Sequence, residues 1–101
     1  MQLRIIEPQL DMIPTEFHPL LLSQRVYDSS CSSNAQVLFI DKDEGYFLKR
    51  APKGTLYQES IMTQYFHTKQ LAAEVLAYAS YEQDWLLTRR LPNLIPLLLA
   101  F

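Results

Sequence analysis

Residues 36–49 read Gln36-Val37-Leu38-Phe39-Ile40-Asp41-Lys42-Asp43-Glu44-Gly45-Tyr46-Phe47-Leu48-Lys49, and this stretch decides the fold. Val37 to Ile40 are residues that pack well on a pleated surface. Asp41 to Gly45 carry turn chemistry, and Tyr46 to Lys49 resume the apolar pattern, so the segment predicts a β-hairpin. Side chains alternate along a strand, which puts Phe47 and Lys49 on one face and Tyr46 and Leu48 on the other. An aromatic ring and an ammonium group therefore point the same way.

Toward the carboxyl terminus, Pro52-Lys53-Gly54 stops the second strand. Thr55-Leu56-Tyr57-Gln58 then has the capping-box pattern, in which a threonine hydroxyl and a glutamine side chain satisfy orphan amide hydrogens. A helix of about a dozen residues is expected from there to Thr68. At ~100° per residue, Tyr57, Ile61, Met62, Tyr65 and Phe66 fall on one arc, the expected buried face, and Glu59 lands about 20° beyond Phe66, on its edge. Val75 to Tyr78 and Trp85 to Thr88 flank Ala79-Ser80-Tyr81-Glu82-Gln83-Asp84 and read as a second hairpin.

Toward the amino terminus, Gln24 to Asp28 reads as a short strand leading into Ser29-Ser30-Cys31-Ser32-Ser33-Asn34, a small-residue loop. Thr15 is expected to cap a short helix through about Ser23, with Pro19 in its first turn. Met1 to Ile13 has no clean period and stays unassigned. The sum is an α+β fold: a mostly antiparallel, four- to five-stranded sheet with one main helix between strands 3 and 4, plus a short N-terminal helix.

The 101 residues are enough for one domain with a modest core. Nine Lys plus Arg against eleven Asp plus Glu, with no basic run, give no electrostatic footprint for nucleic acid or an anionic membrane. No run approaches ~18 apolar residues, Cys31 is the single cysteine, and the start lacks a secretory pattern, so a cytoplasmic location is expected. With two glycines, Gly45 and Gly54, a backbone cradle for phosphate has to use other small residues. His18 and His67 lack the spacing of a metal pair, and no base is identifiable for Cys31.

In order, the chain offers a small-residue loop, a strand, a second strand ending Phe47-Leu48-Lys49, a helix with Glu59 on its inner edge, and a hairpin ending Leu87-Thr88-Arg89-Arg90-Leu91. That order resembles the plan of the smaller lobe of a protein-kinase-like phosphotransferase. There a strand lysine binds the nucleotide α- and β-phosphates and a helix glutamate holds the lysine in place. Phosphate binding needs a fixed cation, and a carboxylate on a rigid element supplies the fixing.

More narrowly, Val26 to Leu91, about two-thirds of the chain, resembles the amino-terminal lobe of the aminoglycoside phosphotransferase family. These are bacterial antibiotic-resistance kinases that use ATP and magnesium to phosphorylate a sugar hydroxyl. Ser33-Asn34-Ala35-Gln36-Val37 resembles the family's serine-bearing nucleotide loop, and Tyr46-Phe47-Leu48-Lys49 its lysine strand. Trp85-Leu86-Leu87-Thr88-Arg89-Arg90-Leu91-Pro92 resembles its last strand and hinge. The resemblance implies that Lys49 holds the α- and β-phosphates and that Glu59 orients Lys49. It also implies that Ser33, with Ser32 beside it, reaches the β-phosphate, that Phe47 stacks on adenine, and that the backbone of Arg89 and Leu91 hydrogen-bonds the adenine edge. On the residues alone, Phe47 can also be a core aromatic, Arg89 and Arg90 a solvated pair, and Lys49 and Glu59 a surface ion pair.

In the family, a His-Gly-Asp-type loop carries the aspartate that activates the substrate hydroxyl, and an Asp-x-Gly-type aspartate binds magnesium. Both belong to a larger carboxyl-terminal lobe, and neither loop is expected in this chain. Residues 1–92 are accordingly expected to form a nucleotide-binding lobe. Residues 93–101, which carry no charge, form an atypical apolar tail attributed to truncation or a frameshift. The lobe is expected to be inactive alone, with magnesium ligands and the aminoglycoside, or another small hydroxylated substrate, assigned to the larger lobe. Two alternatives remain open: a lobe of another small-molecule kinase, acting on choline, a fructosamine or homoserine, and a non-enzymatic α+β interaction domain.

Overall fold

A computed structural model describes residues 4–22, 24–28, 35–43, 45–69 and 72–90. Among them, six strands form one antiparallel sheet: β1 (Arg4–Ile6), β2 (Arg25–Asp28), β3 (Gln36–Asp41), β4 (Tyr46–Pro52), β5 (Glu74–Ser80) and β6 (Gln83–Arg89), in the order β1-β2-β3-β4-β6-β5. Two helices accompany them, α1 (His18–Leu21) and α2 (Tyr57–Thr68). The α+β class follows the sequence reading. The strand missed from sequence is β1, three residues paired with β2 alone, and its presence puts α2 between the fourth and fifth strands. No described helix is long and apolar enough to cross a membrane.

The central hairpin forms in the register that alternation demands: Val37 opposite Lys49, Leu38 opposite Leu48, Phe39 opposite Phe47. Its turn closes with the Gly45 amide donating to the Lys42 carbonyl at 2.8 Å. Gly45 has φ +105°, and a Cβ there would lie 2.7 Å from the Phe39 ring, so both the backbone and the space favour glycine. A β-bulge between Val75 and Ala77 adjusts the register of β5 against β6.

One face of the sheet carries the main core. Val26, Leu38, Ile40, Leu48, Trp85 and Leu87 pack there with Ile13, Phe17 and Leu21 from the amino-terminal segment. The Phe17 and Trp85 rings lie 6.2 Å apart, and burying a phenylalanine of this kind contributes about 2–3 kcal/mol. The segment enters through a 3-10 turn at Thr15–Phe17 and continues into α1, with proline in the first turn as expected. Thr15 does not cap it; neither helical piece has a side-chain cap. Instead the His18 Nε2 donates to the carbonyls of Leu10 and Ile13 at 2.8 and 2.7 Å, tying down the preceding loop.

The opposite face carries α2, and here the structure corrects two expectations. The capping box does not form: the Thr55 hydroxyl donates to the Pro52 carbonyl at 2.6 Å, and Leu56, at the cap position, has no side-chain cap bond. The apolar arc is not the buried one either. Ile61 is 49% and Tyr65 58% exposed, and Tyr57, Met62 and Phe66 are exposed with them. Ser60 is buried, while Glu59, Thr63 and His67 are half-buried. The reason lies beneath the helix, where among the described residues Ala51 and Leu86 of the sheet and Leu56 at the helix entrance form a small cluster, with Ala35, Val75 and Tyr78 beside it. Polar contacts on the inner side of α2 set its rotation.

Candidate functional site

Strand β4 lies between β3 and β6, so Lys49 is flanked by Val37 and Leu86 in the middle of the sheet. It points away from the Phe17 core. Helix α2 crosses this face with Glu59 in its first turn, where the aligned peptide dipoles favour a carboxylate. The Lys49 Nζ donates to both carboxylate oxygens of Glu59, at 2.8 and 3.1 Å. The side chains are 23% and 36% exposed, so the pair is neither dry nor fully solvated. A lysine has three N–H donors, and among the described residues the acceptors Lys49 meets are the two carboxylate oxygens of Glu59.

On the same face, two residues before Lys49, the Phe47 ring lies 5.2 Å from Phe39, which in turn lies 6.1 Å from Tyr27. These three form an aromatic row across β4, β3 and β2. The Arg90 guanidinium carbon sits 5.9 Å above Phe39, within cation–π range, and the Arg90 amide donates to the Gly45 carbonyl at 2.9 Å. The sequence marks neither Phe39 nor Tyr27 as a site residue, and it offers Arg90 only as half of a solvated pair with Arg89. The alternation that aligned Phe47 with Lys49 also puts Phe39 opposite Phe47, so the signal for Phe39 was present.

Arg89 lies within the sheet, opposite Tyr46 on one side and Glu74 on the other, and its guanidinium makes a 3.4 Å ion pair with Glu74. Ser32, Ser33 and Leu91, with the serine-rich loop and the residues from 91 onward, lie outside the described residues.

A buried carboxylate escaped the sequence reading. Asp84 is fully buried. Its Oδ2 accepts from the amides of Gly54 and Leu56 at 2.9 and 3.0 Å and from the Tyr78 hydroxyl at 3.1 Å, and its Oδ1 accepts from the Ser80 hydroxyl at 2.7 Å. Burial by itself pushes the Asp84 carboxyl up. The hydrogen bonds from Ser80, Leu56, Gly54 and Tyr78 more than offset it and hold the group below its ordinary value. In the sequence Asp84 reads as one more turn residue between two strands, and no local pattern announces partners 28 and 30 positions away.

The pattern Asp-x-Gly does occur, at Asp43-Glu44-Gly45, contrary to the expectation that it would be absent. It falls in the β3–β4 turn, where Asp43 has φ +53° and accepts from the Tyr46 hydroxyl at 3.3 Å. No group of three or more His, Cys, Asp or Glu side chains among the described residues is arranged to hold a metal ion. His67 is occupied in structure, its Nδ1 donating to the Ala72 carbonyl at 3.1 Å. A hollow of about 290 Å³ lined by Ile6, Glu7, Gln36 and Arg50 among others opens beside the main core, where Gln36 and Arg50 face away from Lys49.

The chain is 41% identical over 90 residues to a "Probable aminoglycoside 3'-phosphotransferase" of Lactococcus lactis subsp. lactis (strain IL1403); the match covers 88% of this chain and 34% of the relative. The chain thus spans about a third of the length of the curated relative it matches. No protein-family model matches it, and no solved structure does.

Proposed function

We propose, from the similarity to a probable aminoglycoside 3'-phosphotransferase, that this chain is the nucleotide-binding lobe of a small-molecule kinase of that type. The observation that carries the reading is the Lys49–Glu59 pair, bidentate and half-buried, in the middle of a sheet face that also bears an aromatic row. A lysine side chain carries about 2 kcal/mol of rotamer entropy. An ammonium already held by a carboxylate has lost that freedom before the phosphate arrives, so more of the attraction is expressed as affinity.

In this reading an N–H and the charge of Lys49 meet the α- and β-phosphates of ATP, and Glu59 orients Lys49. Phe47 gives the adenine an apolar ring, with Ser32 and Ser33 at the β-phosphate and the Arg89 and Leu91 backbone at the base edge. The described residues do not fit a magnesium site, and no step is assigned to a metal here. Neither histidine is followed by Gly-Asp, so the role proposed is nucleotide holding rather than phosphoryl transfer. Transfer to an aminoglycoside or another hydroxylated substrate belongs, in this reading, to the part of the relative's length outside the match.

One observation favours a second reading, an interaction domain: the exposed row of Tyr57, Ile61, Met62, Tyr65 and Phe66 along α2. Calorimetric titration of ATP into the chain and into Lys49→Ala separates the two. Binding by the wild type that weakens at least tenfold in the variant supports the nucleotide lobe; equal affinity, or no binding by either, favours the interaction domain.

A further inference from the structure

We propose that Asp84 is the positioning residue of the Lys49–Glu59 pair, fixing the start of α2 to the sheet so that Glu59 is delivered to Lys49. The register makes this possible. Asp84 stands on β6 opposite Ala51, two residues along β4 from Lys49, and two residues along β6 from Leu86, the partner of Lys49. Asp84 and Lys49 therefore face the same side of the sheet, about 7 Å apart along the strands.

Asp84 also grips the beginning of α2. Leu56 immediately precedes the first helical residue and Glu59 follows it by three positions, less than one turn. The helix has no local side-chain cap, because Leu56 has no acceptor and the Thr55 hydroxyl is committed to Pro52. Asp84 takes the part that the N3 side chain plays in a capping box, accepting from the amide of Leu56, the cap residue, and, two residues earlier, from the amide of Gly54, whose φ of +88° suits glycine. Tyr78 and Ser80 hold the carboxylate from the β5 side, so one buried group joins β5, β6 and the entrance to α2. Four donors satisfy the carboxylate where it stands, at the entrance to α2. Without it, the first turn of α2 is free to fray, and Glu59 is in that turn.

The inference deepens the nucleotide reading and rests on it only where affinity is measured. The test uses the full chain labelled with nitrogen-15 lysine, following the Lys49 ammonium signal, with Glu59→Gln as the reference for a broken pair. In Asp84→Ala the signal is expected to move most of the way to its Glu59→Gln position while the β3–β4 amide signals stay in place. A Lys49 signal unmoved in that variant overturns the proposal. If Asp84→Ala does not fold, Ser80→Ala and Tyr78→Phe each remove one of the four bonds: partial shifts in the same direction support it, and unmoved signals in both overturn it.

The affinity arm separates positioning from plain destabilisation. Glu59→Gln is expected to weaken ATP binding about tenfold in the wild type and less than about twofold when Asp84 is already Ala, because residues acting as one unit are non-additive. Additive losses overturn the positioning role. If Lys49→Ala binds ATP as the wild type does, it is the nucleotide reading that falls, and the ammonium signal still decides on Asp84.

Discussion

Replacing Glu59 with Gln keeps the shape of the side chain and removes its charge, which makes it the sharpest probe of what the ion pair is for. At 2.8 Å the raw attraction between unit charges is about 6 kcal/mol at an effective dielectric constant of ~20. Most of that does not reach the folding free energy. Both side chains remain partly in water, at 23% and 36% exposure, and the desolvation and ordering of two long side chains bring such pairs to about 0.2–1 kcal/mol net. For a domain of this size that is a fall in melting temperature of about 1–8 °C. The cost to nucleotide binding follows a different route. Releasing Lys49 restores up to about 2 kcal/mol of rotamer entropy that ATP then has to quench, a factor of up to about thirty in Kd.

Calorimetry measures both quantities, by thermal unfolding and by ATP titration at low salt. The expected pattern is a small loss of stability with a roughly ten- to thirtyfold loss of affinity. A large drop in melting temperature with unchanged ATP affinity would refute the reasoning, since it would make the pair a structural staple with no part in holding phosphate.

Three further outcomes follow from the fold. On α2, Ile61→Ser should cost under about 0.5 kcal/mol because the residue faces water, while Ser60→Leu should cost about 1–3 kcal/mol by overfilling a buried position; urea unfolding checks the pair, and the reverse order would restore the amphipathic reading. Gly45→Ala should destabilise more than Gly54→Ala. Both have positive φ, at about 1 kcal/mol each, but only at Gly45 does the added carbon meet a ring, that of Phe39. Asp84→Asn should flatten the acid limb of stability. The Asp84 carboxyl is held below its ordinary value in the fold, so the unfolded chain binds that proton more tightly. Its contribution is therefore complete above the unfolded value of ~4 and is lost as pH falls through the lower folded one. Urea midpoints measured from pH 6 downward for wild type and variant give the comparison, and parallel acid limbs would show that Asp84 carries no such linkage.

How much of this was legible in the sequence depends on how local the physics is. The β3–β4 hairpin was readable because alternation and turn chemistry are properties of neighbours: Val37 to Ile40, a polar turn, then Tyr46 to Lys49. The facing of Phe47 and Lys49 followed from the same period. Strand β1 is not readable, since the three residues Arg4-Ile5-Ile6, followed at once by Glu7-Pro8, are too few to carry a period, and β2 supplies their pairing. The cap of α2 was misread for a related reason. Thr55 and Gln58 have the right spacing for a local solution, but the amide of Leu56 is taken by a carboxylate 28 residues on, and such competition is invisible to a window of four.

On α2, Glu59 borders an apolar arc that the sequence marks as the buried face, yet it reaches the sheet because the polar side faces inward. The arc itself stays in water. The helix is thus held by the Lys49 bond, the Asp84 anchor, the His67–Ala72 bond and a small cluster around Leu56, rather than by a broad hydrophobic seat. An element with few buried apolar contacts opens before the global transition. In native-state hydrogen exchange the amides of α2 should therefore open at a lower free energy than those of β3, β4 and β6, and Glu59→Gln should widen the gap. Equal protection in α2 and β4 would mean that something stronger than these polar contacts seats the helix, and the claim that the ion pair and the helix's orientation are one physical feature would fail.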